Sequence, residues 1–107
     1  GPPDPPTNVS VHASTVLAVV SWHQNLEPDY EENIYAPKTT IYLRYRSLEE
    51  DNWQSLPTPI GPQQHQADIY KLTPNTTYEF QLWSKNIYGE SEEVSVLATT
   101  NQQTTDV

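Results

Sequence analysis

The chain has 107 residues, no cysteine, and 14 acidic against 5 basic side chains, which gives a formal net charge of −9. The absence of cysteine excludes disulfides, thiolate zinc sites and iron–sulfur clusters. The acidic excess argues against polyanionic partners, so we expect no nucleic-acid binding and no direct membrane contact. A chain of about 100 residues is typical of one domain with its own core.

Both ends of the chain have the composition of linkers. Residues 1–5 contain three prolines, and proline removes a backbone donor and fixes φ, so this segment is predicted to be stiff and extended. Residues 101–107 are polar and show no apolar period. We therefore expect a linker over 1–5, a domain over 6–100 and a second linker over 101–107, as in a module of a longer protein.

Between the linkers, apolar and polar residues alternate in short runs separated by turn residues, which is typical of half-buried antiparallel strands. In chain order, the predicted strands are Pro6–Ala13, Val16–Gln24, Ile41–Arg46, Trp53–Leu56, Ala67–Leu72, Tyr78–Lys85 and Val94–Ala98. Strands of this length and spacing indicate an all-β fold, a seven-stranded immunoglobulin-like β-sandwich. The residues predicted to build its core are Trp22, Tyr45, Leu72, Tyr78, Phe80 and Leu82.

Several motifs of the chain resemble those of the fibronectin type III domain over about residues 5–100. They are Pro5–Val11 (PPTNVSV), Val20–Trp22 (VSW), Leu43–Arg46 (LRYR), Leu72–Phe80 (LTPNTTYEF) and Asn86–Ser91 (NIYGES). The fourth motif is the most specific, because it matches a corner in which a tyrosine hydroxyl meets the backbone a few residues upstream. Tyr78 occupies that position, which indicates a structural role.

The resemblance implies a non-catalytic, extracellular protein-binding or spacer module of a membrane-anchored or secreted adhesion or receptor protein. Its partners would be neighbouring domains, a receptor or a ligand, with homophilic contact left open. Two alternatives are a structural module of an intracellular muscle-type scaffold and a spacer in a secreted hydrolase. We expect no cofactor and no enzymatic activity, because the three histidines have no metal-ligand spacing and no phosphate loop or nucleophile motif accompanies them.

One loop, over residues 23–40, is longer than the family usually has. It mixes acidic and aromatic side chains, which is unusual for a flexible tether, and a long loop is often functional. One hypothesis is that its apolar residues pack on the sheet, a second is an acidic tip that binds a basic partner, and a third is a calcium loop. The predicted partner-binding residues of the tip are Tyr30, Glu31, Glu32 and Tyr35, together with Tyr88 and Glu90 at the same pole.

A second candidate surface is the outward face of two predicted strands. Tyr42 and Trp83 share the outward phase with Arg44, Arg46 and Lys85, and cations over aromatic rings form cation–π contacts. This face either stabilises the surface or binds a sister domain or partner chain.

Two sequons, Asn8-Val9-Ser10 and Asn75-Thr76-Thr77, make Asn8 and Asn75 candidate glycosylation sites. Asn75 is the better acceptor candidate, because it lies in an expected exposed corner.

Overall fold

The computed structural model describes residues 1–24 and 39–104. Within these ranges the chain forms eight strands and no helix that is long and apolar enough to cross a membrane. The strands are β1 (Thr7–Ala13), β2 (Ala18–His23), β3 (Thr40–Ser47), β4 (Gln54–Ser55), β5 (Gln66–Ile69), β6 (Thr77–Asn86), β7 (Gly89–Glu90) and β8 (Val94–Thr99).

The strands form two antiparallel sheets. The first has the order β1-β2-β5. In the second, β4, β3 and β6 are neighbours in that order, and both β7 and β8 pair with β6. The expected all-β immunoglobulin-like sandwich is therefore confirmed, with a strand count of eight where we expected seven.

The additional strand is β7, which lies within the Asn86–Ser91 motif, where we predicted no strand. β7 pairs with the end of β6 and β8 with its beginning. Between them Ser91 keeps the chain attached: its N–H donates to the Ser84 carbonyl at 2.8 Å and its Oγ accepts from the Ser84 N–H at 2.8 Å. The Ser91 side chain thus takes the place of a backbone carbonyl as the acceptor for the Ser84 N–H. The backbone pairing is interrupted at this point, but the chain still follows β6.

Several predicted strands are shorter in the structure, and in two of them a turn replaces one end of the predicted strand. Val16 lies in the turn before β2 and is exposed, and its carbonyl accepts from the Leu72 N–H at 2.9 Å. At the other strand, Lys71 has a φ of 62°, which is left-handed backbone incompatible with a strand. β5 therefore ends at Ile69, while Leu72 still reaches the core.

The core lies between the sheets and contains alternate residues of each central strand. β6 shows the pattern most clearly, since Tyr78, Phe80 and Leu82 are buried and their neighbours are partly exposed. Trp22 from β2 is 4% exposed and Leu72 5%. Tyr45 differs from the other predicted core residues, because it is only partly buried and packs against the core from its edge.

The corner motif positions the start of β6. The Thr73 N–H donates to the Tyr78 hydroxyl at 2.8 Å, five residues upstream. Thr100, buried just after the end of β8, donates from Oγ1 to the Thr73 carbonyl at 2.6 Å and accepts from the Thr76 N–H at 3.0 Å. These contacts hold the corner against the last strand.

Candidate interaction surface

The outward face of the five-stranded sheet carries the side chains of β3 and β6 that do not point into the core. Ile41 and Leu43 of β3 are buried, so Tyr42, Arg44 and Arg46 point outward, because successive residues of a strand face opposite sides. The register places Tyr42 opposite Trp83, Arg44 opposite Gln81 and Arg46 opposite Glu79. Three neighbouring pairs of aromatic, cationic and polar residues therefore line one surface.

Four of these side chains form a continuous stack with Trp53, which precedes β4. This stack is here called the ladder: Tyr42, Trp83, Arg44, Trp53 and Arg46. The Tyr42 and Trp83 rings are stacked with centroids 5.7 Å apart and an interplanar angle of 16°. The Arg44 guanidinium lies 5.4 Å from the Trp83 ring centroid and 4.2 Å from that of Trp53. The Arg46 guanidinium lies 5.0 Å from the same Trp53 centroid. All three cation–ring distances fall within the range of cation–π attraction.

Hydrogen bonds hold the two guanidinium groups in place. Arg44 Nε donates to Gln81 Oε1 at 2.9 Å, and its Nη2 lies 3.4 Å from Glu93 Oε1. Arg46 Nη2 lies 3.0 Å from Glu79 Oε1, and its Nη1 donates to the Glu50 carbonyl at 3.0 Å. Partly exposed ion pairs stabilise a fold by only about 0–1 kcal/mol each. Their main effect here is to restrict the orientation of the guanidinium planes.

The ladder lies on a face without net charge in an otherwise acidic protein. Among the residues that the structure describes, the face holds three cations, Arg44, Arg46 and Lys85, and three carboxylates, Glu79, Glu90 and Glu93. Since these balance, the whole formal net charge of −9 comes from the remaining residues. An acidic partner that approaches this face therefore meets less electrostatic repulsion than it would elsewhere on the protein.

Two of the predicted tip residues lie in or beside the β6–β7 hairpin. Tyr88 is 67% exposed in its two-residue loop, and its N–H donates to Asn86 Oδ1 at 2.8 Å. Gly89 follows with a φ of 141°, a conformation that glycine readily supplies. Glu90 accepts from Trp83 Nε1 at 3.2 Å, so it joins the ladder face. Tyr30, Glu31, Glu32 and Tyr35 lie outside the described residues.

Trp53 is the ladder residue that the sequence pattern did not reveal. It precedes β4, which pairs with β3 at Arg44 and Tyr45, and this pairing brings its ring between the two arginines. The usable signal was the spacing of Arg44 and Arg46 on one outward face, which leaves room for one aromatic ring. Finding that ring required the register of β4, and a two-residue strand leaves almost no periodic pattern.

Both candidate glycosylation residues lie at exposed, irregular backbone. Asn8 has a φ of 52° at the point where the β1–β2 register shifts, and Asn75 has a φ of 51° in the corner before β6. Asparagine is among the side chains that accept this left-handed conformation. Neither asparagine belongs to the five-stranded sheet.

Two tyrosines have raised pKa values. Burial raises the pKa of Tyr45, and the nearby Tyr78 adds to the effect. The hydrogen bond to Asp68 raises the pKa of the exposed Tyr70. Among residues 1–24 and 39–104, no three histidine or acidic side chains converge as a metal site would require.

Comparisons with known proteins place this sandwich among cell-surface proteins, although no family model matches the chain. It is 30% identical over 89 residues to human protein turtle homolog B, covering 83% of this chain and 6% of that protein. It is 38% identical over 86 residues to the Caenorhabditis briggsae protein sidekick homolog, covering 79% of this chain and 3% of that protein. It is 32% identical over 95 residues to the Danio rerio angiopoietin-1 receptor, covering 85% of this chain and 8% of that protein. The chain thus spans less than a tenth of these relatives.

Solved structures agree on the fold. The chain matches the crystal structure of the chicken CNTN1 FN1–FN3 domains with a TM-score of 0.75 and 23% identity, over 94% of this chain and 33% of that one. It matches a computationally redesigned β-sandwich protein with a TM-score of 0.77 and 22% identity, over 97% of this chain and 96% of that one.

The relatives are adhesion and receptor proteins of the cell surface, so the extracellular location expected from the sequence is confirmed. They support neither the muscle-type scaffold nor the hydrolase spacer. Together with the corner motif and the strand order, these likenesses show that the chain has the fold of a fibronectin type III domain and is similar to multidomain receptors and adhesion proteins.

Proposed function

We propose that the chain is a non-catalytic protein-binding and spacer module of a cell-surface adhesion or receptor protein, and that it binds a protein partner through the ladder face. Binding requires contact alone, with no bond made or broken. The observation that carries the proposal is the stack of two tryptophans, one tyrosine and two arginines on an exposed sheet face.

The composition of the ladder supports binding. Tryptophan, tyrosine and arginine are the residues most enriched among those that contribute most to protein–protein affinity. A large aromatic ring supplies contact area, while a guanidinium supplies directed donors at its edge. Tyr42 is 42% exposed and Leu97 is 59% exposed on the same face, so a partner would remove apolar surface from water.

The fixed geometry supports binding as well. A flexible arginine loses rotamer freedom when it is immobilised in an interface, which costs about 0.5–1.5 kcal/mol per side chain. Arg44 is already held between two rings and hydrogen-bonded to Gln81. Part of that ordering cost is therefore incurred on folding, which leaves more of the contact energy for the complex.

The topology supports the spacer role. β1 begins opposite His23, at the pole where β3 also begins opposite Lys85. β8 ends opposite Thr77, at the other end of β6. The polypeptide therefore enters at one pole and leaves at the opposite one, so the sandwich separates whatever is attached to its two ends.

A binding screen on defined ectodomains tests the proposal. Multimers of the chain are applied to an array of recombinant cell-surface ectodomains that includes the chain itself, and each signal is repeated with Tyr42→Ala and Trp83→Ala. We expect both variants to weaken the affinity for the partner tenfold or more, since truncation of such residues typically costs at least about 1–2 kcal/mol.

Val16→Ala is the matched control, because Val16 is exposed and lies in a turn of the three-stranded sheet. It should bind like the parent. The proposal is wrong if the ladder variants keep their melting temperature and still bind every detected partner with parental affinity. A signal from the chain itself would identify a homophilic partner.

A further inference from the structure

A groove opens at the side of the sandwich where the edge strands β4 and β5 face each other. It has a volume of about 780 Å³, within the roughly 300–1,000 Å³ of typical ligand sites. Its floor includes apolar side chains of the core or its edge: Leu56, Ile69, Leu72 and Tyr78. The groove lies outside the ladder face, so a ligand bound in it would not depend on the ladder or on the function proposed for it.

One wall of the groove is a strand edge that no other strand covers. β5 pairs with β2, and within the described parts of the chain nothing pairs with its other edge. The Gln66 carbonyl accepts from a side chain, the amide of Gln64, at 2.8 Å. An open edge of this kind is a template to which an extended peptide can add as a further strand.

The side chains of β5 alternate between the floor and the rim. Ala67 and Ile69 point into the sandwich and are buried, whereas Asp68 between them is exposed. A strand added beside β5 would continue this alternation, because neighbouring strands of one sheet share the same two faces. Every second side chain of the added strand would therefore face the apolar floor, and the others would face outward beside Asp68.

The rim is acidic. Three carboxylates line the groove, Glu49, Glu50 and Asp68, against one cation, Lys71. Asp68 also accepts from the hydroxyl of the exposed Tyr70 at 3.2 Å, which keeps an aromatic ring at the rim. Lys71 is held in left-handed backbone with a φ of 62°, so the chain turns away from the strand there and leaves that end of the groove open. The charge favours a basic ligand.

We infer that this groove binds an extended segment of another protein in which apolar and basic residues alternate, added as a strand to the free edge of β5. Its apolar residues rest on Leu56 and Ile69, and its basic residues face Asp68 and Glu50. A second copy of this chain is a poorer occupant, because antiparallel pairing of two β5 edges would bring one Asp68 near the other.

Fluorescence anisotropy with synthetic peptides tests the inference. The probe is a labelled decapeptide of alternating valine and lysine with blocked ends, and its control has the same residues arranged in two blocks. We expect the alternating peptide to bind at least tenfold more tightly, because only the alternating order separates apolar from basic side chains across a strand. Equal binding of the two would reduce the effect to net charge and overturn the inference.

Two versions of the probe test strand addition itself. One is N-methylated at its valines and the other at its lysines. Since the N–H groups of alternate residues point to the same edge of a strand, only one of the two versions should lose binding. Retention or loss of binding in both versions would contradict pairing along one edge.

The protein variant is Glu50→Lys/Asp68→Lys, at two exposed positions, and its matched control is Glu92→Lys, an exposed charge reversal on the opposite edge of the five-stranded sheet. We expect the double variant to weaken the alternating peptide tenfold or more and the control to change it less than twofold, with melting temperatures as a check on folding. The assignment would be overturned if the double variant and the control lost peptide binding equally. It would also be overturned if the chain self-associated and the peptide reversed that association.

Discussion

At the scale of single residues, the hydroxyl of Tyr78 is one of two, with that of Thr100, that hold the corner. The Tyr78 ring packs beside Tyr45 and Phe80, with centroids 6.5 Å and 6.2 Å away. Its hydroxyl lies at the edge of this cluster and accepts from the Thr73 N–H at 2.8 Å. The ring thus belongs to the core, while the oxygen supplies a partner to a turn that has few of its own.

Tyr78→Phe tests this division of roles. The ring stays, so the fold should stay, but the Thr73 N–H loses its partner and the free energy of unfolding should fall by about 1 kcal/mol or somewhat more. Urea denaturation measures the change. Tyr42→Phe is the control, because it removes a hydroxyl from a residue that is 42% exposed. No difference between the two variants would contradict a stabilising hydrogen bond at the corner.

At the scale of elements, a side chain attaches the segment between β7 and β8 to β6. Ser84 is 2% exposed, and its N–H donates to Ser91 Oγ instead of to a backbone carbonyl. The Ser91 hydroxyl in turn donates to the Glu92 carbonyl at 2.8 Å. A buried backbone donor must have a partner, so this serine allows the edge strand to break without leaving the Ser84 N–H unpaired.

Ser91→Ala removes that acceptor. We expect a loss of about 1–3 kcal/mol in the free energy of unfolding, since the variant leaves a buried N–H unsatisfied. Hydrogen exchange at the Ser84 amide should accelerate in parallel. Ser95→Ala, at an exposed position of β8, should leave both quantities unchanged. Unaltered exchange at Ser84 in the Ser91 variant would show that another group takes over as acceptor.

At the scale of the whole molecule, stability depends on a small core shared by two sheets. Trp22 comes from the three-stranded sheet and belongs to the same buried cluster as Phe80 and Leu82 from the five-stranded sheet. A domain of this size has a net stability of only about 5–15 kcal/mol. One large side chain can therefore decide whether the sandwich stays folded.

Trp22→Ala should destabilise the domain by about 3–5 kcal/mol, enough to unfold it or nearly so. Differential scanning calorimetry gives the melting temperature. Trp22→Phe should cost less, because it keeps an aromatic ring and removes an indole N–H that has no partner among the described residues. A melting temperature of the alanine variant within a few degrees of the parent would show that the indole is not a core residue.

Strand positions and the family were accessible from the sequence because they depend on local alternation and on short motifs. β6 follows the expected phase over its whole length, and the motif around Tyr78 folds as the resemblance implies. Strand ends were less accessible from the sequence, because they depend on the backbone conformation of single residues, such as the left-handed φ of Lys71. The domain limits and the roles of the site residues stay predictions.

The alternation that makes two sheets, the charge of −9 and the absence of thiol chemistry follow from residue type and spacing alone. Which residues from distant positions meet depends on the folded sandwich. Trp53 enters the ladder through β4, and Thr100 closes the corner 27 residues after Thr73. Such contacts follow from strand register, which is set by the packing of the whole sandwich and leaves no pattern in a short segment.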